Sequence, residues 1–176
     1  RPPFAPRGRL GTGFQAPPLP QEHYSALSVS PTAASGIIAA NSPGALANGA
    51  SALKSESSTS AEGGIIVEPV KKLHVTVDVY QIDLRDRIMP GGSIYGSQAH
   101  SALEMDGFNL PPGSGSWTGS QLATHWFANV ANTRTQGLDL TATYPTDFGR
   151  YGHADWDVAI NLNRTRLRHQ ANSSNG

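Results

Sequence analysis

Residues 73–88 read LHVTVDVYQIDLRDRI, and this stretch decides the fold class that the sequence predicts. It is rich in Val, Ile, Leu, Thr and Tyr and holds no Gly or Pro, which is typical of a β-strand. It is far longer than the usual strand of about 5–6 residues. Such length is expected where a tilted strand crosses a membrane and continues beyond the lipid.

The alternation of apolar and polar residues changes face within this stretch. The apolar positions of the first half are Leu73, Val75, Val77 and Val79, and those after Tyr80 are Ile82, Leu84 and Ile88. A period of two cannot change face without a bulge or a change of environment. We interpret the first half as crossing lipid and the second half as rising above it. The alternative is a long, half-buried strand of a soluble β protein.

The composition excludes several other classes of protein. The 176 residues carry equal numbers of basic and acidic side chains, so we expect no nucleic-acid partner. The absence of cysteine excludes disulfides and thiolate metal sites. No apolar run reaches the roughly 18 residues of a transmembrane helix. Neither end of the sequence resembles a natural terminus, and we expect a fragment of a longer protein.

Four further stretches predict strands, at residues 7–16, 57–67, 131–144 and 155–168, beside the strand at 73–88. Residues 17–54 and 89–126 are predicted to be long loops, because they are rich in Gly, Pro, Ser and Ala and have no sustained period. Long and short connections therefore alternate, which puts all long loops at one end of an up-and-down sheet. The predicted fold is all-β, an antiparallel transmembrane β-barrel fragment with about five long strands and two long extracellular loops.

Four segments resemble one known family. They are GFQAP at residues 13–17, LKSESS at 53–58, VTVDVYQIDLRDRI at 75–88, and the segment from FANV to TQGLD at 127–139. In this order and spacing they are similar to the barrel of TonB-dependent outer-membrane receptors. The sequence departs from the family pattern at Gln15, where Arg is frequent, and at Ser55, where Pro is frequent, which leaves the subfamily open.

The resemblance implies a 22-strand barrel with an N-terminal plug in the outer membrane of a bacterium. Residues 1–176 would be part of that one barrel domain, from its C-terminal half, with the plug domain absent. The implied activity is uptake of a scarce ligand: a siderophore–iron complex, cobalamin or an oligosaccharide. The implied partners are outer-membrane lipid, that ligand, and a TonB-type energy-coupling protein reached through the missing plug region.

Two sets of residues are candidates for contacts with a ligand or with the lumen. Phe108, Trp117 and Trp126 could grip a sugar or a siderophore with flat apolar rings. His100 could touch a metal chelate together with Glu104 and Asp106. The alternative is that the rings pack the loops and the polar groups are solvated. The predicted lumen-facing residues are Asp139, Asp157, Asn161 and Asn163.

No motif for catalysis, a cofactor or a metal is found, so we expect neither an enzyme nor a cofactor site. The six histidines lack ligand spacing, and no nucleophile elbow lies between a strand and a helix. The competing hypothesis is a soluble secreted all-β module that binds through its long loops. One apolar face separates the two hypotheses, because lipid leaves it exposed in the chain and a second sheet would cover it: Leu138, Leu140, Ala142, Val158, Ile160 and Leu162.

Overall fold

The five long strands form in the order expected from the alternation of apolar and polar residues. A computed structural model describes residues 4–170, with only the backbone at 169 and 170. The strands are β1 (Phe4–Gln15), β2 (Ala26–Val29), β3 (Ala34–Ile37), β4 (Glu56–Val67), β5 (His74–Pro90), β6 (Ile94–Tyr95), β7 (Leu122–His125), β8 (Phe127–Asp147) and β9 (His153–Gln170). The helices are α1 (Leu19–His23), α2 (Pro43–Ala47) and α3 (Gly96–Met105), and short 3₁₀ turns lie at Ser114–Ser116, Gly119–Gln121 and Gly149–Tyr151.

Five long strands form one sheet in the order β1-β4-β5-β8-β9. The predicted all-β fold with antiparallel long strands is confirmed, and the sheet is not closed. The tight connections β4–β5 and β8–β9 join neighbours, and the long connections leave the other end of the sheet, as in an up-and-down topology. The structure gives β8 more residues than the predicted strand at 131–144, since it begins at Phe127.

Residues 17–54 and 89–126, which the sequence predicts to be long loops, carry secondary structure of their own. They contain all three helices and a second sheet in the order β2-β3-β7-β6. Strands β2 and β3 form an antiparallel hairpin, while β3 pairs with β7 in parallel, with Ala34 opposite Leu122. The long segments are therefore joined to each other by backbone hydrogen bonds.

Small residues explain why no pattern in the amino-acid sequence predicts this core. Its fully or nearly buried members are four alanines and four larger residues: Ala34, Ala45, Ala99, Ala102, Ile38, Leu103, Leu122 and Trp126. Gly44 of α2 lies so close to the backbone of Ala102 in α3 that a Cβ would not fit. Elements that approach this closely bury apolar surface without large side chains, so few hydrophobic residues mark them in the sequence.

The chain divides into two compact units. The sheet unit consists, within the described residues, of residues 4–13, Ser58–Leu84 and Thr133–Arg168. The loop unit consists of Phe14–Ser57 and Arg85–Asn132, together with residues 169 and 170. The hydrophobic core described above belongs to the loop unit, whereas the sheet unit presents two faces of different chemistry.

Candidate functional site

One face of the sheet unit is polar and lines a cleft of about 610 Å³. Alternation along β1, β4, β5 and β8 brings these side chains to the same side. The polar and charged lining residues are Arg7, Arg9, Ser60, Glu62, Asp78, Tyr80 and Asp139. We call this side the polar face.

A bidentate ion pair crosses the polar face from β1 to β5. Arg7 Nε donates to Asp78 Oδ1 at 2.8 Å, and Arg7 Nη2 donates to Asp78 Oδ2. Strand β4 lies between the two partners. Gly64 of β4 makes this crossing possible, because a Cβ at this position would overlap the Asp78 carboxylate. The pair thus links β1 to β5, and only 8% of the surface of Asp78 remains exposed.

A second glycine accommodates an aromatic ring on the same face. A Cβ at Gly137 of β8 would overlap the phenol ring of Tyr80 on β5. A ring that covers a strand glycine replaces the packing that the missing side chain would have supplied. The two glycines therefore mark the positions where side chains of β5 lie flat across neighbouring strands.

Three of the four predicted lumen-facing residues come together on β8 and β9. Asn161 Nδ2 donates to Asp139 Oδ1, and Asn163 Nδ2 donates to Asn161 Oδ1 at 2.8 Å. Asp139 also lines the cleft, so these residues extend the polar face. Asp157 shares their strand parity on β9 and is exposed.

The opposite face of the sheet unit carries exposed large apolar side chains. Hydrogen bonds between Thr135 and Thr165 (2.8 Å) and between Asp139 and Asn161 agree with one register of β8 on β9. In that register Leu138 lies opposite Leu162, Leu140 opposite Ile160, and Ala142 opposite Val158. The exposed fractions are 54% for Val158, 47% for Ile160 and 60% for Leu162. We call this side the apolar face.

Beyond the apolar residues, the same side becomes polar. Arg134 Nε donates to Asp83 Oδ1 at 2.5 Å, and Arg134 Nη2 donates to Asp83 Oδ2 at 3.0 Å. Gln81 also donates to Asp83, at 2.8 Å, and accepts from Gln136 at 2.8 Å. Asp83 lies past the apolar stretch, and the hydrogen bonds from Arg134 hold the pKa of its carboxyl below the usual value.

This network explains the change of alternation seen in residues 73–88. Gln81 and Asp83 bond each other two residues apart, so they share a face, and strand period puts Val79 on it too. The strand does not flip after Tyr80. Instead, the outward positions change from Val to Gln and Asp while the backbone continues. The apparent change of face in the sequence is therefore a change of residue type along one continuous strand.

The predicted ligand contacts all lie in the loop unit, at different depths. Trp126 is only 5% exposed and belongs to the core, while Phe108 and Trp117 are half-buried against it. His100 Nδ1 lies 3.2 Å from Glu104 Oε2, one turn further along α3. Asp106 does not join them, because its carboxylate accepts from Ser42 Oγ at 2.6 Å and from the Gly44 amide at 2.7 Å.

Three of the four segments that carry the family resemblance meet at a set of hydrogen bonds in the loop unit. The amide of Asn129 donates to the carbonyls of Lys54 (2.9 Å) and Asp86 (2.6 Å), and its Oδ1 accepts from the Lys54 amide at 2.8 Å. Glu56 Oε1 accepts from the Ile88 amide at 2.7 Å, and Asn132 Oδ1 from the Asp86 amide at 2.9 Å. Asp86 has a φ of 56°, a left-handed conformation that these partners hold in place. We call this set the strand-end clasp.

A family model decides the identity of the fold. The model described as TonB dependent receptor-like, beta-barrel, matches residues 1–176. The chain belongs to this family. No curated protein matches the chain at a significant level. Proteins of the TonB-dependent receptor family are receptors and transporters of the bacterial outer membrane rather than enzymes.

The strand-end clasp is thus built from residues of the family resemblance, and it gives those motif positions a structural role. Sequence reasoning identified the motifs but missed both Arg–Asp pairs, because each joins residues more than fifty positions apart.

Among the residues described, no three His, Asp or Glu side chains come together as a metal site. In the same part of the chain, no helix has the length and apolar character to cross a membrane.

Proposed function

We propose that this chain forms part of the barrel wall of an energy-coupled outer-membrane receptor that takes up a scarce ligand. The ligand classes are the siderophore–iron complexes, cobalamin and oligosaccharides. The observation that carries the proposal is the contrast between the two faces of the sheet unit. A polar face with a nearly buried carboxylate and an apolar face with exposed Leu, Ile and Val suit a wall between water and lipid.

In this proposal the polar face lines the lumen, and Asp139, Asp157, Asn161 and Asn163 are part of that lining. The connection to the energy-coupling protein would run through the plug of the same receptor. The loop unit carries the segments predicted to be extracellular. Its ligand contacts would be the accessible parts of His100, Phe108 and Trp117, whereas Trp126 would support them from the core.

The apolar face also argues against the soluble binding module. A soluble sandwich buries such a face under a second sheet, whereas Val158, Ile160 and Leu162 are about half exposed or more. No observation on the described residues favours the soluble module specifically. We therefore retain the receptor as the proposed function.

Single cysteines in the receptor that contains this chain test the proposal, because the chain itself has no cysteine. Val158→Cys and Asp139→Cys are compared in outer-membrane vesicles of cells that carry an otherwise cysteine-free receptor. We expect Val158→Cys to react with a lipid-soluble maleimide and to resist a charged one, because it faces lipid. Asp139→Cys should react with the charged reagent. Equal reaction of both positions with the charged reagent would contradict the receptor barrel.

A further inference from the structure

One Asn–Gly dipeptide, Asn48–Gly49, lies within the described part of the loop unit. In this dipeptide asparagine readily loses its amide group without an enzyme, because glycine has no side chain to keep its backbone nitrogen away from the side-chain carbonyl carbon. The nitrogen attacks that carbon, a five-membered succinimide forms, and ammonia leaves. Water then opens the ring to aspartate or to isoaspartate. The sequence thus places a reactive amide in the loop unit.

The fold requires a glycine at position 49. Asn48 is the residue that caps the end of α2, and Gly49 has a φ of 86°, in the left-handed region. The Gly49 amide donates to the Leu46 carbonyl at 3.1 Å. The Ala50 amide donates to the Ala45 carbonyl at 3.0 Å. These two hydrogen bonds form a Schellman motif, in which glycine is the usual residue after the helix cap. The end of α2 therefore creates the labile dipeptide.

The hydrogen bonds of this helix end protect Asn48. Its Nδ2 donates to the Gly44 carbonyl at 2.8 Å, which holds the side-chain amide against the helix. The Gly49 N–H is directed at the Leu46 carbonyl, so its nitrogen does not face the side chain of Asn48. Attack requires both hydrogen bonds to break. Asn48 is half-buried and Gly49 is exposed, so water reaches the ring once it has formed.

Contacts with α3 control the opening of α2. The helix has five residues, and helices this short are marginal without tertiary support. Its Gly44 packs directly on the backbone of Ala102 in α3. Asp106, which caps α3, accepts from Ser42 Oγ at 2.6 Å and from the Gly44 amide at 2.7 Å. Asp106 thus fixes the beginning of α2, and loss of this contact would also release its end.

We propose that Asn48 is a site of spontaneous deamidation, that the opening of α2 controls its rate, and that the product keeps α2 open. The Gly49 nitrogen bonds to Asn48 Cγ, the Cγ–Nδ2 bond breaks, and the proton of the Gly49 amide leaves with the ammonia. A carboxylate in place of the amide cannot donate to the Gly44 carbonyl, and its charge is unfavourable at the negative end of a helix. Isoaspartate also adds a methylene group to the backbone. This chemistry depends on the loop unit alone and goes beyond the proposed function.

The test follows deamidation in the intact protein that contains this chain, incubated in mildly alkaline buffer. Peptide mass spectrometry measures the fraction of aspartate and isoaspartate at position 48 over time. Asp106→Ala removes the acceptor that fixes the beginning of α2. We expect about tenfold faster deamidation, which corresponds to about 1.4 kcal/mol less stability of the closed helix. Glu104→Ala is the matched control, because this carboxylate near the end of α3 pairs with His100. We expect no change there.

An internal standard separates the site from its control by α2. Asn109 is exposed and is followed by Leu110 instead of glycine. If Asn48 deamidates no faster than Asn109 in the Asp106→Ala protein, the assignment of the site is wrong. Acceleration of less than about threefold by Asp106→Ala, or equal acceleration by Glu104→Ala, would overturn the control by α2.

Two further variants complete the test. Ser42→Ala loosens the same end of α2 by a smaller change, and it replaces Asp106→Ala if that variant folds poorly. We expect about fivefold faster deamidation from the loss of this helix cap. Asn48→Asp reproduces the product, and Asn48→Ala loses the same hydrogen bond without the charge. We expect hydrogen exchange at the Gly49 amide to be about threefold faster in Asn48→Asp than in Asn48→Ala. Equal exchange in these two variants and the unaltered protein would show that the product leaves α2 closed.

Discussion

The loop unit buries apolar side chains, whereas the sheet unit exposes apolar side chains and buries a carboxylate. In the loop unit, Leu103 and Leu122 are fully buried among alanines, and the polar groups lie around them. In the sheet unit, Ile160 and Leu162 are exposed, while the carboxylate of Asp78 is nearly buried. A single solvent cannot favour both arrangements. In the proposed barrel wall this difference is expected, because the loop unit would fold against water and the apolar side of the sheet unit would meet lipid.

The largest effect is expected for Leu103→Ala in the core of the loop unit. Leu103 has no exposed surface, so its truncation leaves a cavity and costs about 2–5 kcal/mol of local unfolding free energy. Faster amide hydrogen exchange in β3 and β7 of the receptor would report this loss. Leu46→Ala on α2 is the matched control, because Leu46 is 50% exposed. Equal protection in both variants would contradict a core that packs against water.

Gly64→Ala tests the sheet unit in the opposite sense, by adding one methyl group to the polar face. The new Cβ would overlap the Asp78 carboxylate and push it from Arg7, and overpacking of this kind costs about 1–3 kcal/mol. Gly63→Ala is the control, because a Cβ at Gly63 meets nothing within 4 Å. The measurement is the midpoint of heat-modified gel mobility, which we expect to fall for Gly64→Ala alone.

A double-mutant cycle shows whether the ion pair is the cause. With Asp78→Ala already present, the added methyl of Gly64→Ala has no carboxylate to displace, so we expect most of its cost to disappear. If Gly64→Ala lowers the midpoint equally in both backgrounds, the glycine serves another purpose. The crossing of β4 by the Arg7–Asp78 pair would then lose its importance for the sheet.

A smaller effect is expected for Asn129→Ala in the strand-end clasp. The substitution leaves the Lys54 amide and two carbonyls without their side-chain partner, which costs about 1–3 kcal/mol where water cannot replace it and less where it can. Because the hydrogen-bond partners lie at exposed positions, we expect the lower end of that range. Hydrogen exchange at Lys54 is the measurement, and exposed Asn109→Ala is the control. Unchanged exchange at Lys54 would show that the clasp does not hold the strand ends.

The contrast between the units also explains which parts of the structure could be predicted from the sequence. Val75, Val77 and Val79 alternate with polar residues, and alternation is a local signal, so the long strands were predictable. The loop unit was not, since its core depends on Ala34, Ala99 and Ala102, which are small and carry no periodic signal. The partners Arg7 and Asp78 were hidden for another reason: only the register of three strands brings them together.

The smallest effect on stability is expected for His100→Ala. His100 and Glu104 form a one-turn pair on α3, and such pairs contribute about 0.3–0.5 kcal/mol in a helix. Only 20% of the His100 side chain is exposed, so its truncation also removes some packing. We expect His100→Ala to weaken ligand binding to the receptor by more than its small effect on hydrogen exchange in α3 accounts for. Glu104→Ala removes the same pair and leaves the imidazole, so it should retain more binding. Equal binding by all three proteins would show that α3 presents this pair only to water, and the ligand contacts would have to lie elsewhere.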